Sequence, residues 1–138
     1  MVFVSITAIA LAIVANFIFA ALYYSPLMIG EMFFKISYGA SYKKIMKQNE
    51  SEGMLGGVAV ALIGCIIYVL ICGFAIDAVG AKTRLDAMKI TLTLSLAGEC
   101  QWLSHHLFER RPSSVHVIHV AGHLIEALFV GAILGSWL

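Results

Sequence analysis

Charge is scarce in this chain: Asp, Glu, Lys and Arg make up 12% of its 138 residues, about half the share of a typical soluble domain. Proline is scarcer, with two residues, so little interrupts the apolar runs. The basic residues form no long cluster and net charge is +1, which leaves nucleic-acid binding without support. Cysteine is limited to Cys65, Cys72 and Cys100, with no CxxC spacing. That argues against a disulfide framework or a zinc knuckle. Cys65 and Cys72 share a helix face and read as small packing residues. No nucleophile motif, phosphate loop or dinucleotide fingerprint occurs, so a non-enzymatic role is expected.

What fills the chain instead is hydrophobic sequence, 61% of it, in runs long enough to cross a bilayer. The expected fold is all-α and polytopic, a single membrane domain over residues 1–138 with four transmembrane helices. The spans fall at about residues 3–24, 54–76, 85–108 and 114–138. The first has no basic n-region, and Tyr23-Tyr24-Ser25-Pro26 does not look like a cleavage site, so it reads as a retained span. Residues 26–53 form an amphipathic loop. Met28, Ile29, Met32, Phe33, Ile36 and Tyr38 suggest an interfacial helix, and Ser41 is placed to cap a second short helix through Lys47.

Small residues supply candidate helix-packing positions: Gly53, Gly57 and Gly64 on the second span, and Ala127, Gly131 and Gly135 on the fourth. Basic residues set the expected orientation. Lys35, Lys43, Lys44, Lys47, Arg110 and Arg111 fall on one side, Lys82 and Arg84 on the other. The positive-inside rule puts loops 25–53 and 109–113 on the cytoplasmic, matrix or stromal side of an inner, plasma or organellar membrane, with both termini opposite.

All five histidines lie between positions 105 and 123. A helix turns about 100° per residue, so His116, His119, His123 and Glu126 share an arc of about 80°. Ser95, Glu99, Trp102 and His106 share a face of the preceding span in the same way. The turn between the two spans is short enough to make them antiparallel neighbours. Folding there sets His105 and His106 opposite His116, Trp102 opposite His119, Glu99 opposite His123, and Ser95 near Glu126. A central charge costs about 2.5–3.5 kcal/mol on the insertion scale, so the cluster Glu99, His106, His116, His119, His123 and Glu126 must be paired or at work.

Four readings of the cluster stay open: interhelical hydrogen bonds, a proton or ion relay, a metal site, and haem or quinone binding. The metal candidates are His119 and His123, four apart, with Glu99 or Glu126. No cofactor is required by the sequence. Asn16 reads as a helix–helix hydrogen bond, and His105 and His106 as solvated interfacial residues. The functional expectation is a structural or accessory subunit, packed in the lipid bilayer as a homo-oligomer or with other membrane subunits. The alternatives are a small transporter or ion conductor using the cluster, and a metal- or haem-binding redox component.

Three stretches carry a family resemblance: Ala21-Leu22-Tyr23-Tyr24-Ser25-Pro26-Leu27, Leu107-Phe108-Glu109-Arg110-Arg111-Pro112, and Val130-Gly131-Ala132-Ile133-Leu134-Gly135-Ser136-Trp137. With them the chain resembles the small four-helix membrane proteins grouped as domain of unknown function 1761. The resemblance implies this span layout and no established activity. The family's fourth span is expected to open on an Asn-x-Gly-Tyr-like stretch. Here the region reads His119-Val120-Ala121-Gly122-His123, which makes the histidines a feature of this chain.

Overall fold

The computed structural model describes residues 4–52, 54–109 and 112–138. Its helices start and stop where local chemistry directs. Helix α1, Ile6–Tyr23, is capped by Ser5, whose hydroxyl accepts the Thr7 N–H at 3.2 Å. The chain then turns tightly through Ser25-Pro26 into α2, Gly30–Tyr38. Gly30 is required there, because a Cβ would collide with the Tyr24 carbonyl and sit 2.7 Å from the Ser25 carbonyl. Gly39 takes a φ of 53° at the end of α2, a conformation glycine adopts without strain. A 3-10 turn at Gly39–Ser41 leads into α3, Tyr42–Glu52, which runs past the expected end at Lys47.

Helix α4, Met54–Val79, ends on Gly80, whose φ of 74° lets its N–H reach back to the Ile76 carbonyl. Thr83 opens α5, Arg84–Phe108, by accepting the Asp86 N–H at 3.1 Å and donating to the Asp86 carboxylate at 2.7 Å. Helix α6, Ser113–Leu134, follows Pro112 and closes in a 3-10 turn, Gly135–Trp137.

The fold is all-α, as expected, but the span count changes. Among the described residues three helical segments are long and apolar enough to cross a membrane: Ile6–Tyr23, Gly56–Val79 and Ser113–Trp137. The four expected from the sequence become three by composition. Helix α5 has the length, yet Thr91, Ser95, Glu99, Gln101, His105 and His106 dilute its apolar content. Apolar side chains such as Ile18, Ile63, Ile67, Leu70 and Phe74 stand exposed on α1 and α4, which is consistent with a lipid surround.

The long helices form an antiparallel ring in which α1 packs on α4 and α6, and α5 on α4 and α6. One end is dry. Ala8, Ala12, Val69, Cys72, Ile76, Ala87, Val130 and Leu134 are buried together there. The Asp77 carboxylate accepts the Val4 N–H at 3.1 Å and ties the start of α1 to α4. Small residues bring α5 and α6 into backbone contact. A Cβ on Gly131 would sit 2.6 Å from Met88 Cα, and one on Gly135 2.8 Å from Arg84 Cα. Thr91 donates to the Ala127 carbonyl at 2.7 Å between them. Gly57 and Gly64 differ. A Cβ on either would meet no atom within 4 Å, because residues 56–64 of α4 are exposed on every face. Gly53 lies outside the described residues.

Candidate functional site

The ring is packed at one end and hollow toward the other. A cavity of about 640 Å³ lies between all four long helices. Asn16, Ala20 and Tyr24 reach it from α1, and Ala61, Gly64, Cys65 and Tyr68 from α4. Ser95, Gly98, Glu99 and Trp102 come from α5, and His119, His123 and Glu126 from α6. Its walls combine small residues with large aromatic ones. Ala20, Ala61, Gly64 and Gly98 leave volume that Tyr24, Tyr68 and Trp102 border without filling.

Antiparallel register sets the polar side chains. From the Thr91–Gly131 contact, each step along α5 toward its C-terminus is matched by a step back along α6, so Glu99 meets His123 and His106 meets His116. His123 Nδ1 and Glu99 Oε1 share a hydrogen bond. His119 Nδ1 shares a 2.7 Å hydrogen bond with the Tyr24 hydroxyl and packs edge-on against Phe33 of α2, ring centres 5.2 Å apart. Tyr68 and Ser95 share a hydrogen bond of 2.9 Å. Glu126 projects from the same wall of α6.

Two of the lining residues bury an oxygen that has no partner. Glu99 is 8% exposed, and its Oε2 receives no hydrogen bond. Asn16 is 3% exposed, and its Oδ1 is likewise unserved. The helix–helix hydrogen bond expected of Asn16 is therefore not made by its carbonyl oxygen.

The histidine-rich cluster divides in two. Glu99, His119, His123 and Glu126 border the cavity, while His106 and His116 lie against each other at the α5–α6 turn, ring centres 5.1 Å apart and planes tilted by 45°. His105 and His106, read alike from the sequence, part company. His106 is 4% exposed, whereas His105 is exposed and leans on Trp102. Among the described residues no three His, Cys, Asp or Glu side chains converge as metal ligands; His119 and His123 are engaged by Tyr24 and Glu99.

Sequence reasoning gave neither Tyr24 nor Tyr68 a place in the polar cluster. A stripe at residues 61, 64, 65 and 68 was the signal available for α4, since those positions share one helix face.

A family model described as a protein of unknown function (DUF1761) matches residues 7–135, from the first turn of α1 to the end of α6. No curated protein and no solved structure matches the chain.

Proposed function

The chain belongs to the DUF1761 family, whose description carries no activity, and from that starting point we propose a small membrane protein of transporter type that binds a compact cation in the four-helix cavity. One observation carries the reading: Asn16 and Glu99 line a single cavity, and each buries an oxygen without a hydrogen-bond partner that a side-chain rotation could offer to a ligand. A buried acceptor without a donor costs about 1–3 kcal/mol, so a ligand that brings N–H or O–H groups, or positive charge, is favoured there. Glu126 adds a second carboxylate. Tyr24, Tyr68 and Trp102 offer the aromatic faces that attract cations. His123 holds the other oxygen of Glu99, so a proton and a ligand cation compete for one carboxylate. That competition is the basis of an exchange mechanism.

In this reading α5 is a fourth crossing segment, shielded rather than apolar. It is about 37 Å long by helical rise and is paired with α6 from Arg84, beside Ser136, to His106, beside His116. Thr91, Ser95, Glu99 and His106 turn to α6 or the cavity, while Thr93, Gln101, Ser104 and His105 are exposed beside Leu96, Leu103 and Leu107, so the shielding covers one face of the helix. The cavity then opens toward the side bearing α2, α3 and residues 109–113, which the positive-inside rule makes the cytoplasmic, matrix or stromal side.

Trp102 borders the cavity and gives the test. In a Trp137→Phe background its fluorescence is titrated with primary alkyl and aryl ammonium ions, and flux of the same ions is followed in proteoliposomes under a pH gradient. Saturable quenching is expected, weakened at least tenfold by Glu99→Gln or Asn16→Leu. Absent binding, or binding indifferent to both changes, defeats the proposal.

A second reading, a subunit of a homo-oligomer or larger membrane complex, is favoured by residues 56–64 of α4, exposed all round with Gly56, Gly57 and Gly64 open. Native mass spectrometry in mild detergent tests it, and a lone monomer with no copurifying partner counts against it.

A further inference from the structure

We propose that His106 and His116 bind one divalent transition-metal ion at the α5–α6 turn, a site separate from the cavity and independent of the cation-binding reading. His106 occupies the last turn of α5 and His116 the first turn of α6. The antiparallel register that brings Glu99 to His123 brings these two rings together.

Three ring nitrogens there have no hydrogen-bond partner: Nδ1 and Nε2 of His106, and Nδ1 of His116. A neutral imidazole always presents one N–H and one lone pair. His106, 4% exposed, has both buried and unserved. Each such group costs about 1–3 kcal/mol. The other histidines of α6 differ, since His119 has Tyr24 and His123 has Glu99. Packing alone would not require two imidazoles here, because phenyl or isobutyl groups would fill the space without polar atoms to satisfy.

The spacing suits one ion. A metal–imidazole bond of about 2.0–2.1 Å puts the ring centre about 3.2 Å from the metal, so two rings at the tetrahedral angle have centres about 5.2 Å apart. The observed separation is 5.1 Å. A lone pair on each ring would become a metal bond, and the remaining N–H of His116 lies on a partly exposed residue. Imidazole ligands select zinc, copper, nickel, cobalt or iron over magnesium or calcium. With two protein ligands, the remaining positions fall to water or an exchangeable group, one protein ligand fewer than open zinc sites keep. The ion would pin α5 to α6 at the end opposite the Gly131 and Gly135 contacts.

The test uses the full chain without an affinity tag, purified in detergent, stripped with a chelator and titrated with Co²⁺ and then Zn²⁺. One Co²⁺ per chain is expected, with the intense visible absorption of tetrahedral cobalt, displaced by Zn²⁺. His106→Gln and His116→Gln should each weaken binding at least tenfold, while His105→Gln and His123→Gln leave it intact. No binding, a weak octahedral-type spectrum, or His106→Gln binding like the parent overturns the proposal. If the variants lose helicity, X-ray absorption of the Zn²⁺ form of the parent chain decides. Two imidazole nitrogens at about 2.0–2.1 Å support the site, and a first shell without two imidazoles removes it.

Discussion

Replacing Gly131 with alanine tests the backbone contact that sets the register of α5 and α6. A Cβ there would collide with Thr91 Oγ1, sit 2.6 Å from Met88 Cα and 3.0 Å from the Ala87 carbonyl oxygen. Ordinary contact begins at 3.4 Å, so the helices must part by most of an ångström. Two of the three atoms are backbone, and no rotamer change relieves them. Overpacking of this kind costs about 1–3 kcal/mol. The separation also strains the Thr91 hydrogen bond to the Ala127 carbonyl, worth about 0.6 kcal/mol in a membrane helix pair. Alanine returns about 0.5–1 kcal/mol through its lower backbone entropy cost. The net expectation is a loss of about 1–3 kcal/mol. Gly57→Ala is the matched control. Its new methyl meets no atom within 4 Å, so stability should hold or rise by up to about 1 kcal/mol. Both variants are measured by SDS-driven unfolding in mixed micelles, followed by far-ultraviolet circular dichroism. Equal responses from the two glycines would refute the contact argument.

Thr91→Val should cost about 0.5–1 kcal/mol in the same assay, since it removes the 2.7 Å bond to Ala127 while keeping side-chain volume; a neutral result would mean the bond adds nothing. Tyr24→Phe deletes the hydroxyl bound to His119 at 2.7 Å and should speed amide hydrogen exchange across residues 30–38, because Tyr24 and His119 are the rings on which Phe33 of α2 rests. The exposed Glu31–Lys35 pair, 2.8 Å apart, gives α2 a pH signature. The hydrogen bond and charge of Lys35 hold the Glu31 carboxyl below its ordinary range. Its support for the helix is therefore present above the unfolded carboxylate pKa and is lost as pH falls through the lowered value. Lys35 is raised by the same partner, and its contribution is lost only as pH rises through that raised value. An NMR titration of Glu31 should show its midpoint moving up toward the ordinary range in Lys35→Ala, with Lys43 and Tyr42 still lowering it.

The meeting of Glu99 with His123 and of His106 with His116 could be read before any coordinates, because a five-residue connection leaves two helices little choice but to run antiparallel side by side. Once paired, each helix's 3.6-residue repeat carries the register outward from the turn. The α1 and α4 contributions could not be read in this way. Both helices are apolar on nearly every face, so their sequences contain no period that says which side turns inward. Asn16, Tyr24 and Tyr68 reach the cavity through packing at the far end, where Ala8, Ala12, Val69 and Cys72 close against α6. The same limit separates His105 from His106. Neighbouring residues point about 100° apart, and only the contact with α6 makes one of them buried.

Residue order alone settled that this chain is helical, membrane-compatible and unusual in its histidines, since those properties follow from hydrophobic run length, helix-ending glycines and the cost of polar groups in lipid. The three-dimensional packing decided which polar atoms are left unserved, and where. Gly131 and Gly57 belong to similar small-residue patterns, yet one touches backbone and the other open space, because close packing is a property of two surfaces and a single strand of letters describes one.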